Sequence, residues 1–288
     1  MNSSVNLPGN PAVNSAVNNS SDLNRKNERL NRELKALGKV LVAFSGGVDS
    51  TFLVSAAQAA LGEEVQAVTI STPYIPKWEV EEARQLACAI GVRHRVVNLE
   101  MPEELRDNPP QHCYICKKHL FTVLLEVAEK IGIPHVIEGT NADDLKDYRP
   151  GRKALVELKI RSPLLEAGLT KSDIRRLSRM AGLDTWDKPA YACLLSRIPV
   201  NTRVETADLD RIEKAERFLM DIGFRAVRVR THGDVARIEV DPDRISELVE
   251  ADRNHDIQGA LKRAGYAHVS VDLTGYRTGS MNPNKDRD

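Results

Sequence analysis

Val40-Leu41-Val42-Ala43-Phe44-Ser45-Gly46-Gly47-Val48-Asp49-Ser50 runs an apolar segment straight into a polar hexapeptide, and the helix-like stretch Thr51 to Leu61 follows. This order predicts a buried strand, a tight loop and a helix. Two adjacent glycines let the backbone turn sharply and approach an anion. The hydroxyls of Ser45, Ser50 and Thr51 add hydrogen bonds, and the helix start offers unpaired N–H groups and the positive end of its dipole. A nucleotide triphosphate suits such a cradle, although a plain turn between strand and helix uses similar residues. Asp49 becomes a candidate magnesium ligand, because magnesium commonly bridges phosphate oxygens through one or two carboxylates.

Two absences narrow the chemistry. The pattern G-x-x-x-x-G-K-[ST] needs a lysine at the β and γ phosphates, and none follows these glycines. The turn also lacks the G-x-G-x-x-G dinucleotide fingerprint. γ-Phosphoryl transfer is therefore disfavoured. Ser45–Ser50 instead resembles the PP-loop of the ATP pyrophosphatase superfamily, which implies cleavage of ATP between the α and β phosphates, transfer of AMP and release of pyrophosphate.

Outward from the loop, strands alternate with helices. Val65 to Ser71, Arg93 to Leu99 and His135 to Gly139 read as strands. Glu79 to Ile90 and about Lys117 to Ile131 read as helices that end at Gly91 and Gly132. Alternation of this kind predicts an α/β fold with a doubly wound parallel sheet, whose ligands bind at the carboxyl ends of the strands. Upstream, Leu23, Leu30, Leu34 and Leu37 form one apolar stripe on a charged helix. Residues 1–22 are rich in Asn, Ser and Pro and are expected to be a disordered tail. The expected division is a nucleotide domain over 23–200, a smaller α+β domain for substrate binding and oligomerisation over 201–282, and a flexible tail at 283–288.

The chain has 288 residues with 41 basic and 41 acidic side chains, so no global field favours nucleic acid. Four cysteines are too few for a disulfide scaffold. No apolar run approaches the roughly 18 residues of a membrane helix, and no secretory leader is apparent. A cytoplasmic setting without membrane or nucleic-acid partners is expected.

Further motifs lie where they reach the same sheet edge. Gly139-Thr140-Asn141-Ala142-Asp143-Asp144 follows a predicted strand, and its paired carboxylates suit nucleotide and magnesium contacts, as they would suit a helix cap. Ser71, after another strand, is a candidate adenosine contact or a simple turn residue. Cys113 and Cys116 form C-x-x-C at a predicted helix start, where Lys117, Lys118 and the helix N-terminus favour thiolate. Cys193 stands far downstream, and Cys88 sits among apolar residues that suggest core. Cys113, Cys116 and Cys193 are open to three readings: a redox pair, a zinc site completed by His112 or His119, or an iron–sulfur cluster with one iron lacking a protein ligand.

Taken in order, these motifs resemble one family. Ser45 onward, Gly139–Asp144 with Asp147-Tyr148-Arg149-Pro150-Gly151, Ser162-Pro163-Leu164 with Gly168-Leu169-Thr170-Lys171, Trp186-Asp187-Lys188-Pro189-Ala190 with Ala192-Cys193-Leu194, and Arg228-Val229-Arg230 with His232-Gly233 are similar to the LarE-type pyridinium bisthiocarboxylate mononucleotide synthases. The match runs nearly throughout residues 35 to 282. The resemblance implies ATP- and magnesium-dependent adenylation of a pyridinium carboxylate mononucleotide, followed by sulfur transfer, in assembly of a nickel-pincer nucleotide cofactor. It implies that Cys193 is the sulfur-bearing residue. In single-cysteine members that residue surrenders its own sulfur. Here Cys113 and Cys116 accompany it, as in members thought to hold a [4Fe–4S] cluster, so catalysis by Cys113, Cys116 and Cys193 through such a cluster is expected. The expected ATP contacts are Ser45, Gly46, Gly47, Asp49, Ser50, Thr51, Ser71, Gly139 and Asn141, with Asp49 and Asp144 as candidate magnesium ligands.

The last third carries an amphipathic stretch, Leu209 to Ile222, and strand-like Ala226–Arg230 and Val235–Val240. Arg228 and Arg230 share one strand face, which suits a phosphate or a solvated surface equally. The resemblance implies a substrate phosphate there and at Arg277 and an acidic contact at Glu216; a homo-oligomer is also expected. A tRNA thiolation enzyme would call for a basic surface or an added RNA-binding module, and an amide-forming ligase would not need three gathered cysteines.

Overall fold

Val40, Leu41 and Val42 are fully buried. They form strand β1 (Val40–Ala43). Val40 and Val42 enter one apolar core and Leu41 another, because successive strand side chains point to opposite faces. The computed structural model describes residues 11–146 and 150–277, without the side chains of 11–20. Residues 1–10 of the expected tail, Asp147, Tyr148 and Arg149, and the segment 278–288 lie outside the described residues.

The nucleotide half continues with helices α1 (Pro11–Leu37), α2 (Val48–Leu61), α3 (Lys77–Ile90), α4 (His112–Lys130), α5 (Gly151–Glu157), α6 (Pro163–Glu166) and α7 (Lys171–Met180). Strands β2 (Val65–Ser71), β3 (Arg93–Asn98) and β4 (His135–Ile137) lie between them. The sheet order is β3-β2-β1-β4 and every pair is parallel, with Val42 opposite Ala67 on one side and Ile137 on the other. Leu34 of α1, Leu53 of α2, Ala83 of α3 and Ile174 of α7 cover one face. Phe121 and Leu124 of α4 and Leu155 of α5 cover the other. This is the doubly wound α/β sheet that the sequence predicts. Strand order reverses between β1 and β4, so the crevice for a ligand opens where the loops after those two strands part.

A second sheet follows. Helix α8 (Thr206–Asp221) packs on β5 (Arg228–His232) and β6 (Val235–Glu239), and α9 (Ile245–His255) and α10 (Ile257–Ala264) lead to β7 (His268–Val271). β5 and β6 are antiparallel and β6 and β7 parallel. Tyr74, Leu194, Leu195, Val204 and Ile212 form a further apolar cluster that joins the two halves. Among the described residues no helix is long and apolar enough to cross a membrane.

Three expectations change. Helix α1 begins at Pro11, so residues 11–22 are helical where a disordered tail was expected. Leu23, Leu30 and Leu34 anchor it in the core, and extending an anchored helix is far less costly than nucleating one. Helix α4 begins at His112, with Gln111 as its N-cap just after Pro109-Pro110, which puts Cys113 and Cys116 one turn apart on the same helix. Cys88 is exposed. Val80, Ala83 and Ala87 turn the other face of α3 inward, and Cys88 lies about 100° round from Ala87.

Candidate active site

Gly46 has φ +69°, and a Cβ placed there would meet Ala83 of α3 at 3.3 Å. The left-handed φ favours glycine, and the close approach of Ala83 leaves little room for a side chain. Gly47 precedes α2 without any side-chain cap on the helix's first amides, which leaves them to an anion. The Ser50 hydroxyl donates to the Gly47 carbonyl at 3.2 Å and lies 3.1 Å from the Ser45 hydroxyl. Gly139, after β4, rests on the start of α2: an added Cβ would meet the Ser50 nitrogen at 3.1 Å. The loops on either side of the switch point thus touch through a glycine.

The lysine missing from the loop arrives from elsewhere. Lys171, the first residue of α7, places its Nζ 2.6 Å from Asp49 Oδ2. Its backbone N–H donates to Asp143 Oδ2 at 2.9 Å. Asn141 Oδ1 accepts from the Asp143 N–H, and Asp144 Oδ2 accepts from the Asn141 N–H at 3.0 Å, so this acidic turn is a helix capping box. Glu138 escaped the sequence reading. Buried at the end of β4, it accepts from the Thr140 N–H and hydroxyl at 3.0 and 2.8 Å and from the Ser162 hydroxyl. A carboxylate closing an apolar strand was its only signal.

These loops border a cleft of about 440 Å3, lined by Ser45, Gly47, Asp49, Ser50, Glu138, Gly139 and Asp144 and also by Cys113, Cys116 and Cys193. Val68, Ile70, Phe121 and Leu124 supply apolar walls. Gly46, Thr51, Ser71 and Asn141 do not line it. Gly46, Thr51 and Asn141 are buried and support the residues that do. Cys116 donates to the Tyr74 hydroxyl at 3.5 Å. Burial pushes the Cys116 thiol up to about 12, helped by the neighbouring Cys193 sulfur and opposed by Tyr74 and Lys117. Burial also raises Cys193, against the pull of Arg197. Thiolate was expected at Cys116 from its lysines and helix start, but desolvation outweighs them and keeps the proton on. Among the described residues no three His, Cys, Asp or Glu side chains are grouped so that they could hold a metal ion.

Comparison with known proteins bears on this cleft. The family model for asparagine synthase matches residues 27–128. An uncharacterized protein of Synechocystis sp. is 38% identical over 90% of this chain and 98% of its own. A pyridinium-3,5-bisthiocarboxylic acid mononucleotide synthase of Lactiplantibacillus plantarum is 37% identical over 86% of this chain and 91% of its own. The chain belongs to the LarE family. It is an ATP-dependent sulfur transferase of the PP-loop class. An uncharacterized protein of Methanocaldococcus jannaschii is also similar, 32% identical over 83% of this chain and 91% of its own.

The arginines that LarE resemblance assigned to a substrate phosphate face inward here. Arg228 donates to the carbonyls of Val227 and Ala190, each at 2.7 Å, and lies over the rings of Tyr276 and Tyr191. Arg230 donates to the Ser196 carbonyl at 2.8 Å and to Glu239 Oε2 at 2.7 Å. Glu216, with 4% of its surface exposed, accepts two bonds from Arg197 at 2.9 and 2.8 Å and one from the Val229 N–H at 2.8 Å. None of the three lines the cleft. Arg197, unnoticed in the sequence, also donates to the carbonyls of Ala192 and Cys193 at 2.7 and 3.1 Å. Together Arg197, Arg228 and Arg230 strap the Cys193 loop to the second sheet. Arg277 is exposed and its charge acts on Asp272.

Proposed function

We propose that this chain adenylates the carboxylate of a pyridinium mononucleotide and then exchanges the adenylate for sulfur, for assembly of a nickel-pincer nucleotide. The observation that carries the reading is a single cleft lined both by the phosphate loop and by all three candidate cysteines. A carboxylate is a poor electrophile because oxide is a prohibitive leaving group, and adenylation turns that oxygen into part of a good one. The substrate carboxylate attacks the α phosphorus of ATP, the bond to the β-phosphate oxygen breaks, and pyrophosphate leaves. The amides of Gly47 and the first turn of α2, with Lys171 beside Asp49, stabilise the charge that develops. Asp49 and Asp144 are the carboxylates that would hold magnesium, which supplies further charge neutralisation on the phosphates.

By donor chemistry the three cysteines suit a [4Fe–4S] cluster, although the described residues do not gather them into a metal site, so the Cys193 loop would have to close on Cys113 and Cys116 to hold one. Cys113, Cys116 and Cys193 are soft ligands of one cleft, and burial leaves at least two of them protonated until a metal displaces the proton. When bound, such a cluster supplies an iron with an open position for exchangeable sulfide. The Cys193 loop presents sulfur to the acyl carbon, and the apolar walls exclude water that would hydrolyse the acyl adenylate.

The test is exchange of labelled pyrophosphate into ATP by the anaerobically reconstituted protein. Exchange should require a pyridinium carboxylate mononucleotide, and Cys193→Ala should keep exchange while losing thiocarboxylate formation. Exchange without any carboxylate, or undiminished sulfur transfer by Cys193→Ala, would refute the reading. Intact mass before and after turnover separates the sulfur sources, because a sacrificial Cys193 loses the elements of hydrogen sulfide whereas a cluster route leaves the polypeptide unchanged.

A further inference from the structure

Lys188 is a lysine with only 7% of its surface exposed. A buried ammonium needs partners. It has two, one from the phosphate loop and one from the helix behind it: its Nζ donates to the Gly46 carbonyl at 2.8 Å and pairs with Glu82 Oε2 of α3 at 2.8 Å. It also lies 5.6 Å from the centre of the Tyr191 ring. Five residues further on, the same segment delivers Cys193 to the cleft.

The contact with Gly46 has a geometric consequence. The peptide between Gly46 and Gly47 is trans and planar, so its carbonyl and its N–H point to opposite sides. Fixing the carbonyl on Lys188 turns the Gly47 N–H the other way, where, among the described residues, it meets the Ser45 hydroxyl at 3.4 Å. A bond that long is weak and readily ceded to a phosphate oxygen. Without Lys188 the Gly46 carbonyl loses the hydrogen bond that fixes it, and a carbonyl turned toward the phosphates would repel them.

We propose that Lys188 is the positioning residue of the phosphate cradle. It holds the Gly46–Gly47 peptide in its anion-binding orientation and ties that orientation to the segment carrying Cys193. The inference rests on the reading of Ser45–Ser50 as the triphosphate seat. The ligand class it governs is the diphosphate portion of ATP, and pyrophosphate after it leaves.

Calorimetric binding of pyrophosphate, ATP and AMP to the full chain tests this, with folding of each variant checked by thermal unfolding. Lys188→Met should weaken pyrophosphate and ATP by about ten- to hundredfold, the effect of one charge-assisted hydrogen bond. AMP, which lacks the β and γ phosphates, should change less than about threefold on the same basis. Lys188→Arg should recover most of the loss. Glu82→Gln alters a partly exposed side chain, threatens no core, and should weaken pyrophosphate by a few fold through loss of the counter-charge. In peptide-resolved alkylation, Cys193 should react several times faster in Lys188→Met than in the unaltered protein. Unchanged pyrophosphate binding in Lys188→Met and Glu82→Gln, or an equal loss of AMP, would overturn the assignment. Failure of the unaltered protein to bind pyrophosphate would remove the loop reading and this proposal with it.

Discussion

Glu79 is a carboxyl on the first turn of α3 that burial pushes up to about 7, against the opposing pull of Lys188 and Arg197. It lines the cleft, and its charge acts on Cys193. The sign of its contribution to stability follows from linkage. The folded chain holds this proton to a higher pH than the unfolded chain, whose carboxyl titrates near 4.5. Stability from Glu79 is therefore complete below about 4.5 and falls as pH rises through about 7. Glu79→Gln cannot ionise and should flatten that fall. Thermal unfolding of both proteins at pH 4.5, 6 and 8 checks it: the midpoint of the variant should drop less between pH 4.5 and 8 than that of the unaltered chain, and equal drops would show that Glu79 ionises normally. None of this is legible in Lys77-Trp78-Glu79-Val80, where Glu79 reads as an ordinary first-turn acid favourable to the helix dipole.

At the scale of elements, β1, the loop and α2 were legible because each is dictated locally: an apolar run, two glycines and a helix-forming stretch in strict succession. β2 was legible to the residue, since Val65 to Ser71 is bounded by Gly62 and by a turn. The start of α4 lies earlier than the expected Lys117, because His112, Cys113, Tyr114, Ile115 and Cys116 have weak intrinsic helix preference and packing of Ile115 and Cys116 carries the helix through them. The contact between the β1 and β4 loops was beyond reach, since it depends on strand order. That contact makes a specific prediction about Gly139, which needs no unusual φ. An added Cβ would meet backbone, the Ser50 nitrogen at 3.1 Å and the Asp49 carbonyl carbon at 3.2 Å, so a shift must fall on the first turn of α2. Gly139→Ala should cost about 1–3 kcal/mol of stability as a local overpacking. Its larger effect should be on ATP, with a raised KM in pyrophosphate exchange. An unchanged KM would mean that the α2 start can move without disturbing the cradle.

For the whole molecule, the segment that carries Cys193 bridges the two halves. Toward the nucleotide half, the Leu194 N–H donates to the Tyr74 carbonyl at 2.9 Å and Lys188 reaches Gly46. Toward the second sheet, Arg197, Arg228 and Arg230 hold its carbonyls, and Arg197 is itself held by Glu216. The sequence showed arginines alternating on a strand but not which way they faced, because a buried strap and a phosphate seat use the same residue type at the same spacing. The two roles separate in the kinetics of Glu216→Gln. Breaking the Arg197–Glu216 pair, whose side chains are 2% and 5% exposed, should cost roughly 3–5 kcal/mol, because an uncompensated buried guanidinium remains. If Glu216 acts through the strap, the Cys193 loop shifts while the phosphate cradle does not. Pyrophosphate exchange measured below the lowered unfolding temperature should then keep its KM for the mononucleotide, and thiocarboxylate formation should fall by an order of magnitude or more, as misplacement of a reacting group by about 1 Å does. If Glu216 and the arginines instead seat the substrate phosphate, that KM must rise, and exchange and sulfur transfer must fall together.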